Sequence, residues 1–150
     1  MIDVAVNGPA IPRLPRREIT AFVQLVLAEA KRLRAYRHTV SEVSIAFVDD
    51  VQMAELNGRF RSKKKTTDVL TFPADESYAN PGSQGRPLGD IIISTEQARR
   101  QASDEHHSLA TEVRYLILHG ILHALGYDHE TDEGEMNALE TKVRARVGLE

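Results

Sequence analysis

The sequence predicts a layered fold of mixed helices and strands, α+β or α/β, in one domain. Three features carry that expectation: short runs in which apolar residues alternate, longer runs in which they recur at helical spacing, and capping residues ahead of the second kind. At 150 residues, 41% hydrophobic and 27% charged, the chain has the length of one domain and the composition of a folded one. At that length folding buries roughly two-thirds of the unfolded chain's surface.

The elements follow in order. Ile2, Val4 and Val6 alternate with polar or small residues and predict a first strand. Pro9 to Pro15 is a connector. From Arg16 the period changes: Ile19, Phe22, Val23, Val26, Leu27 and Ala30 form the apolar stripe of a long amphipathic helix. Val43, Ile45 and Phe47 predict a second strand. Asp49 or Asp50 can cap a short helix through Leu56. The segment Arg59-Phe60-Arg61-Ser62-Lys63-Lys64-Lys65 then reads as a basic loop. Val69 to Phe72 predicts a third strand, stopped by Pro73, and the polar stretch 74–88 a loop with Pro81, Gly82, Gly85 and Pro87. Gly89-Asp90-Ile91-Ile92-Ile93 is apolar on both faces and predicts a central fourth strand. Ser94 with Gln97 makes a capping box for the next helix. A further helix runs from about Ser108 to Leu125. Asp132 with Glu135 opens the last, with Met136, Leu139 and Val143 on one face. Four strands and about five helices result, with no internal repeat and no low-complexity tract.

The absence of cysteine excludes a disulfide framework, a thiolate metal site and a cysteine nucleophile. No apolar run approaches the ~18 residues of a membrane span. Met1-Ile2-Asp3-Val4 lacks the basic stretch and apolar core of a signal peptide, so the expectation is a cytoplasmic protein without a membrane. Net charge is −3, but it is unevenly placed: residues 1–65 carry 12 Lys/Arg against 7 Asp/Glu, and residues 66–150 carry 7 against 15. Such asymmetry fits either a basic surface facing a polyanion or ordinary surface scatter.

The chemistry is concentrated in Leu118-His119-Gly120-Ile121-Leu122-His123-Ala124-Leu125-Gly126-Tyr127-Asp128-His129. Positions four apart stack on one helix face, so His119 and His123 can reach one metal ion. Gly126 lies where the helix should end, and the returning chain lets His129 supply a third nitrogen. Three imidazoles leave one tetrahedral position of zinc open for water, as in a catalytic site. The bland alternative is a set of core histidines. In a stretch so apolar, each unsatisfied imidazole would cost about 1–3 kcal/mol, and a metal removes that cost. His106, His107 and His38 lie in polar stretches and read as solvated surface histidines.

The spacing matches the metzincin peptidase pattern H-E-x-x-H-x-x-G-x-x-H except at Gly120, where that pattern has the glutamate base. No methionine stands at a convincing distance for the turn beneath the metal; Met136 follows by seven residues, inside a helix. The ligands are protease-like and the base is missing. The basic segment suggests another substrate. Arg59, Arg61, Lys63, Lys64 and Lys65 fall within seven residues. Such a run is often a solvated loop, but arginine grips phosphate bidentately, and beside a zinc ion it would make a phosphodiester site.

The segment His119–His129 closely resembles the motif H-G-x-L-H-x-x-G-Y-D-H of the YbeY family of bacterial zinc-dependent endoribonucleases. Leu56-Asn57 with Arg61, and Thr67-Asp68-Val69-Leu70-Thr71-Phe72-Pro73, resemble that family's T-[DN]-V-L-S-F-P region. Leu88-Gly89-Asp90-Ile91 resembles its G-D-I strand, and Met136 with Leu139-Glu140 its closing helix. The blocks span roughly half the chain in the family's order. Thr71 stands where serine is usual, and 74–88 matches nothing in particular.

The resemblance implies an α+β fold with a small four-stranded mixed sheet and the zinc-binding helix packed on it. It implies a metal-dependent, single-strand-specific endoribonuclease that matures ribosomal RNA, chiefly the 3′ end of the small-subunit RNA, and serves ribosome quality control. Its partners would be single-stranded RNA, ribosomal RNA and the small ribosomal subunit. One Zn2+ per chain would be held by His119, His123 and His129. Arg61 and His119 are the candidate catalytic residues, and Arg59, Lys63, Lys64 and Lys65 the candidate substrate-binding ones. Two other readings stay open from the residues: another zinc hydrolase, such as a metzincin-like peptidase, and a non-catalytic ribosome-assembly factor whose metal only stabilises the fold.

Overall fold

Alternating and helical patterns become nine elements among the residues described by the computed structural model, which are 2–61, 69–74, 85–128 and 131–149, with the side chains of 59–61 outside that set. They run β1 (Asp3–Asn7), α1 (Arg16–Arg32), β2 (Val40–Val48), α2 (Asp50–Arg61), β3 (Val69–Pro73), β4 (Arg86–Ser94), α3 (Thr95–Asp104), α4 (Leu109–Ala124) and α5 (Glu135–Val147). The strands form one mixed sheet in the order β1-β2-β4-β3. β2 lies parallel to both β1 and β4, and β3 runs antiparallel to β4. This is the expected α+β architecture with a four-stranded sheet.

The core forms where period-2 and period-3.6 patterns meet. Every residue of the predicted α1 stripe is buried. It joins Val43, Ile45 and Phe47 of β2 and Ile91 and Ile93 of β4 in one cluster. Burying each valine, leucine, isoleucine or phenylalanine among them contributes roughly 1.5–3 kcal/mol. α1 contacts β1 and α4, α4 contacts β3 and β4, and α5 lies against α1 and α4. β4 is an inner strand, as its run of isoleucines predicts.

Three expectations change. The second helix does not stop at Leu56 but continues to Arg61, so Arg59, Phe60 and Arg61 are helical in backbone and not part of a loop. Its start is well defined: Asp49 Oδ1 accepts from the Gln52 amide at 2.8 Å while Gln52 Oε1 accepts from the Asp49 amide at 3.1 Å, a reciprocal capping box. The stretch 74–88 is not all loop, because Arg86, Pro87 and Leu88 already belong to β4. Pro87 pairs with Glu42 beside an irregularity in the β2–β4 register. A proline inside a strand reads as a break, and here the irregular register accommodates its missing N–H. At α3, Ser94 Oγ accepts from the Gln97 amide at 3.2 Å, but the Gln97 side chain turns to Arg100, so the box is half formed.

The starts of α2 and α3 are tied together. Asp50 accepts from the Ser94 hydroxyl and from the Arg100 guanidinium, both at 2.7 Å, and its amide donates to Glu96 at 2.9 Å. The Ser94 hydrogen bond, followed by Arg100, holds the Asp50 carboxyl below its ordinary value of 3.8. A lowered folded pKa contributes stability that is full above the unfolded value and is lost as pH falls through the folded one. Asp50→Asn is therefore expected to lower Tm by about 2–4 °C at neutral pH, the equivalent of roughly 1 kcal/mol at this size. The deficit should shrink as melting is followed from neutral pH to well below the ordinary value of 3.8. An equal deficit at all pH values would mean that the charge of Asp50 contributes nothing.

Candidate metal centre

α4 begins where Ser108 Oγ accepts from the Thr111 amide at 3.1 Å. From Val113 to Leu122 it is buried around most of its circumference. Such a helix tolerates polar residues only where they find partners. Glu112, buried, is 2.6 Å from His107 Nε2. His107 also lies against the Tyr115 ring, with centroids 5.5 Å apart. His107 is thus a partly buried structural residue and not the solvated histidine its polar neighbours suggest; His106 is exposed.

Further along the helix stand His119 and His123, one helical turn apart and both half-buried. Their Nε2 atoms are 3.0 Å apart, and their rings meet edge to face with centroids at 4.5 Å. Two nitrogens each 2.0–2.1 Å from one tetrahedral ion would be separated by about 3.3 Å. The donor set and its spacing therefore fit a divalent metal. On the far side of the His119 ring, Nδ1 lies 3.6 Å from Glu140 Oε2 of α5.

The helix ends as Gly126 requires. With φ at +108°, its amide donates to the His123 carbonyl at 2.9 Å, and the Tyr127 amide to the Leu122 carbonyl at 3.1 Å. This is a Schellman ending, which a residue with a side chain adopts only under strain. Tyr127 then anchors the returning chain, its hydroxyl donating to the Ala35 carbonyl at 2.8 Å. The Asp128 carbonyl accepts from the Thr131 and Asp132 amides. His129, the third predicted ligand, lies outside the described residues, as do Lys63, Lys64, Lys65 and the side chains of Arg59 and Arg61. Among the described residues no three His, Asp or Glu side chains form a metal-sized group. Of the predicted site residues, His119 and His123 are brought together.

Gly120 explains why the peptidase base is missing. A Cβ there would stand 2.7 Å from Ile91 Cγ2 and 3.3 Å from Ile91 Cγ1. The position faces β4, so a glutamate would be driven into the sheet and not toward the histidine pair. Sequence reading missed two partners: Glu140 behind His119, and Glu112 beside His107. Both had a visible signal, an acid set within an apolar stripe.

The endoribonuclease YbeY family model matches residues 10–148. An endoribonuclease YbeY from Desulfitobacterium hafniense is 38% identical over 154 aligned residues, covering 99% of this chain and 98% of the relative. Another, from Nautilia profundicola, is 46% identical over 111 residues, covering 74% of this chain and 76% of the relative. The solution structure of TM1509 from Thermotoga maritima superposes with a TM-score of 0.58 at 24% identity, over 96% of this chain and 88% of that one, and so shares its fold.

Replacing Gly120 tests the close approach. Alanine gains about 1 kcal/mol of helix propensity, but overpacking costs about 1–3 kcal/mol, and a β-branched neighbour cannot swing its Cγ2 aside. Gly120→Ala is expected to lose up to roughly 2 kcal/mol, and Gly120→Glu more, with no peptidase activity gained. A Gly120→Ala protein that melts at or above the wild-type temperature would remove the constraint.

Proposed function

This chain belongs to the endoribonuclease YbeY family, and on that premise we propose that it is a zinc-dependent, single-strand-specific endoribonuclease. It acts in the cytoplasm on ribosomal RNA, at the 3′ end of the small-subunit RNA and in ribosome quality control, as one domain over residues 1–150. The observation that carries the metal half of this reading is the 3.0 Å separation of the His119 and His123 Nε2 atoms. One Zn2+ per chain is held by His119, His123 and His129. The partners are single-stranded RNA and the small ribosomal subunit. Among the described residues no helix is long and apolar enough to cross a membrane.

The bound ion supplies a Lewis acid and makes water more acidic at neutral pH. The chain supplies the rest. His119 and His123 point their Nε2 atoms outward from a helix whose other faces are packed, so ligand positions change little as RNA enters. Arg61 stabilises charge on the non-bridging oxygens as the phosphodiester is attacked; a guanidinium stays ionised and donates two parallel bonds. Arg59 and Lys63, Lys64 and Lys65 hold the RNA backbone without reading its bases. The peptidase reading fails at Gly120, where there is no space for a base.

Single-turnover cleavage of single-stranded and duplex RNA, with zinc measured in each protein, tests this reading. Wild type should cut the single strand. Replacing His119, His123 or His129 by alanine should release zinc, lower Tm and abolish cleavage, because metal binding is linked to folding. Arg61→Ala should keep zinc and lose roughly 10²–10³-fold in rate, the scale of one transition-state donor, with partial rescue by lysine. Wild-type rates in zinc-loaded Arg61→Ala would end its catalytic role. A zinc-loaded wild type that cuts no RNA would favour the assembly-factor reading.

The basic segment predicts a salt dependence. Each phosphate contact releases about one counterion, so affinity for a single strand should fall with a log–log slope of about −0.7 per contact. Alanine at Lys63, Lys64 and Lys65 together should weaken binding and flatten that slope by up to about 2. Binding that ignores both salt and these changes would place the RNA elsewhere.

A further inference from the structure

We propose that Glu140 is a positioning residue for the metal centre: its carboxylate, behind the His119 ring, keeps the ring proton on Nδ1 and the Nε2 lone pair toward His123. The proposal rests on the metal reading above and extends it to a residue outside the ligand set.

The argument starts in α5. Met136 and Val143 are both buried and seven residues apart. Glu140 falls four after the first and three before the second, so it sits in the same stripe. A carboxylate there is partly withdrawn from water, with its side chain 22% exposed. That position is costly for a charge without a partner. His119 Nδ1 lies 3.6 Å from its Oε2, within ion-pair range. The placement is held from two directions. α5 contacts both α1 and α4, and its start is fixed by Asp132, which accepts from the Gly134 amide at 2.8 Å and the Met136 amide at 2.9 Å.

The two nitrogens of an imidazole point to different sides of the ring. His119 Nε2 is the one that meets His123 Nε2, so the group at Nδ1 stands behind the ring and outside the coordination shell. A neutral imidazole carries its proton on one nitrogen and its lone pair on the other, and the partner of the first decides which nitrogen can ligate. A carboxylate beside Nδ1 favours the proton there and makes Nε2 the donor. It also restrains rotation of the ring. Such outer carboxylates are worth about 10–100-fold in metal affinity.

The test uses the full chain and Zn2+ alone, measured against a competing chelator. Glu140→Leu suits the apolar stripe and should fold at least as stably as wild type, yet bind Zn2+ about 10–100-fold more weakly. Glu140→Gln keeps an oxygen able to face Nδ1–H and should recover part of the loss. Long-range 1H–15N correlation spectra of the metal-free protein should show His119 protonated on Nδ1 in wild type and shifted toward the Nε2–H form in Glu140→Leu. A purely structural role would move stability and leave the tautomer alone. Wild-type protein that takes up no Zn2+ would defeat the metal reading and this proposal with it. Wild-type uptake, with an unchanged tautomer and affinity within twofold in Glu140→Leu, would defeat this proposal alone.

Discussion

The contact between Gly120 and Ile91 is the constraint on which the site depends. A hydrogen in place of a side chain lets α4 press onto β4, with an added Cβ only 2.7 Å from Ile91 Cγ2. That approach commits one face of α4 to the sheet. Since 3.6 residues make a turn, it also commits the direction in which His119 and His123 leave the helix. The glycine interrupts what would otherwise be a continuous apolar surface, and it costs helix propensity of about 1 kcal/mol relative to alanine. The packing of Ile91, Ile117, Ile121 and Leu122, all fully buried, offsets that cost.

The rest of the fold holds α4 at its two ends and along its back. At the start, Ser108 caps the helix and the His107–Glu112 pair closes over its first turns. At the end, Gly126 reverses the chain and Tyr127 fastens it to the carbonyl of Ala35, just beyond α1. Along the back, α5 brings Glu140 to the ring of His119. Each of these contacts joins segments far apart in sequence or satisfies a group that the apolar helix would otherwise leave exposed to a low dielectric. The site therefore shares its supporting contacts with the core.

Much of this was legible from residue types alone. The α1 stripe, the alternation of β2 and the start of α4 near Ser108 follow from the sequence pattern, and each appears where the pattern puts it. What sequence periodicity misjudged involved an exception to local rules. Pro87 reads as a strand breaker, yet it lies in β4, because strand pairing at an irregular register overrides the local preference. The basic run from Arg59 reads as a loop after a helix ending at Leu56, but the capping box at Asp49 starts a helix that runs on to Arg61. His107 looked solvated because its sequence neighbours are polar; its partners are five and eight residues away, on the next helix. At the metal centre the pairing of His119 with His123 was readable from their spacing. The carboxylate behind His119 needed the tertiary placement of α5.

The claim that a close helix–sheet contact aims two imidazoles at one ion is tested most directly at the ion itself. X-ray absorption at the zinc edge of the Zn2+-loaded protein should show imidazole nitrogens at about 2.0–2.1 Å, three of them with one further light atom. In a protein lacking both His119 and His123 that imidazole scattering should disappear. A shell of oxygens alone in the wild type, or an imidazole signal that survives removal of both histidines, would contradict the account.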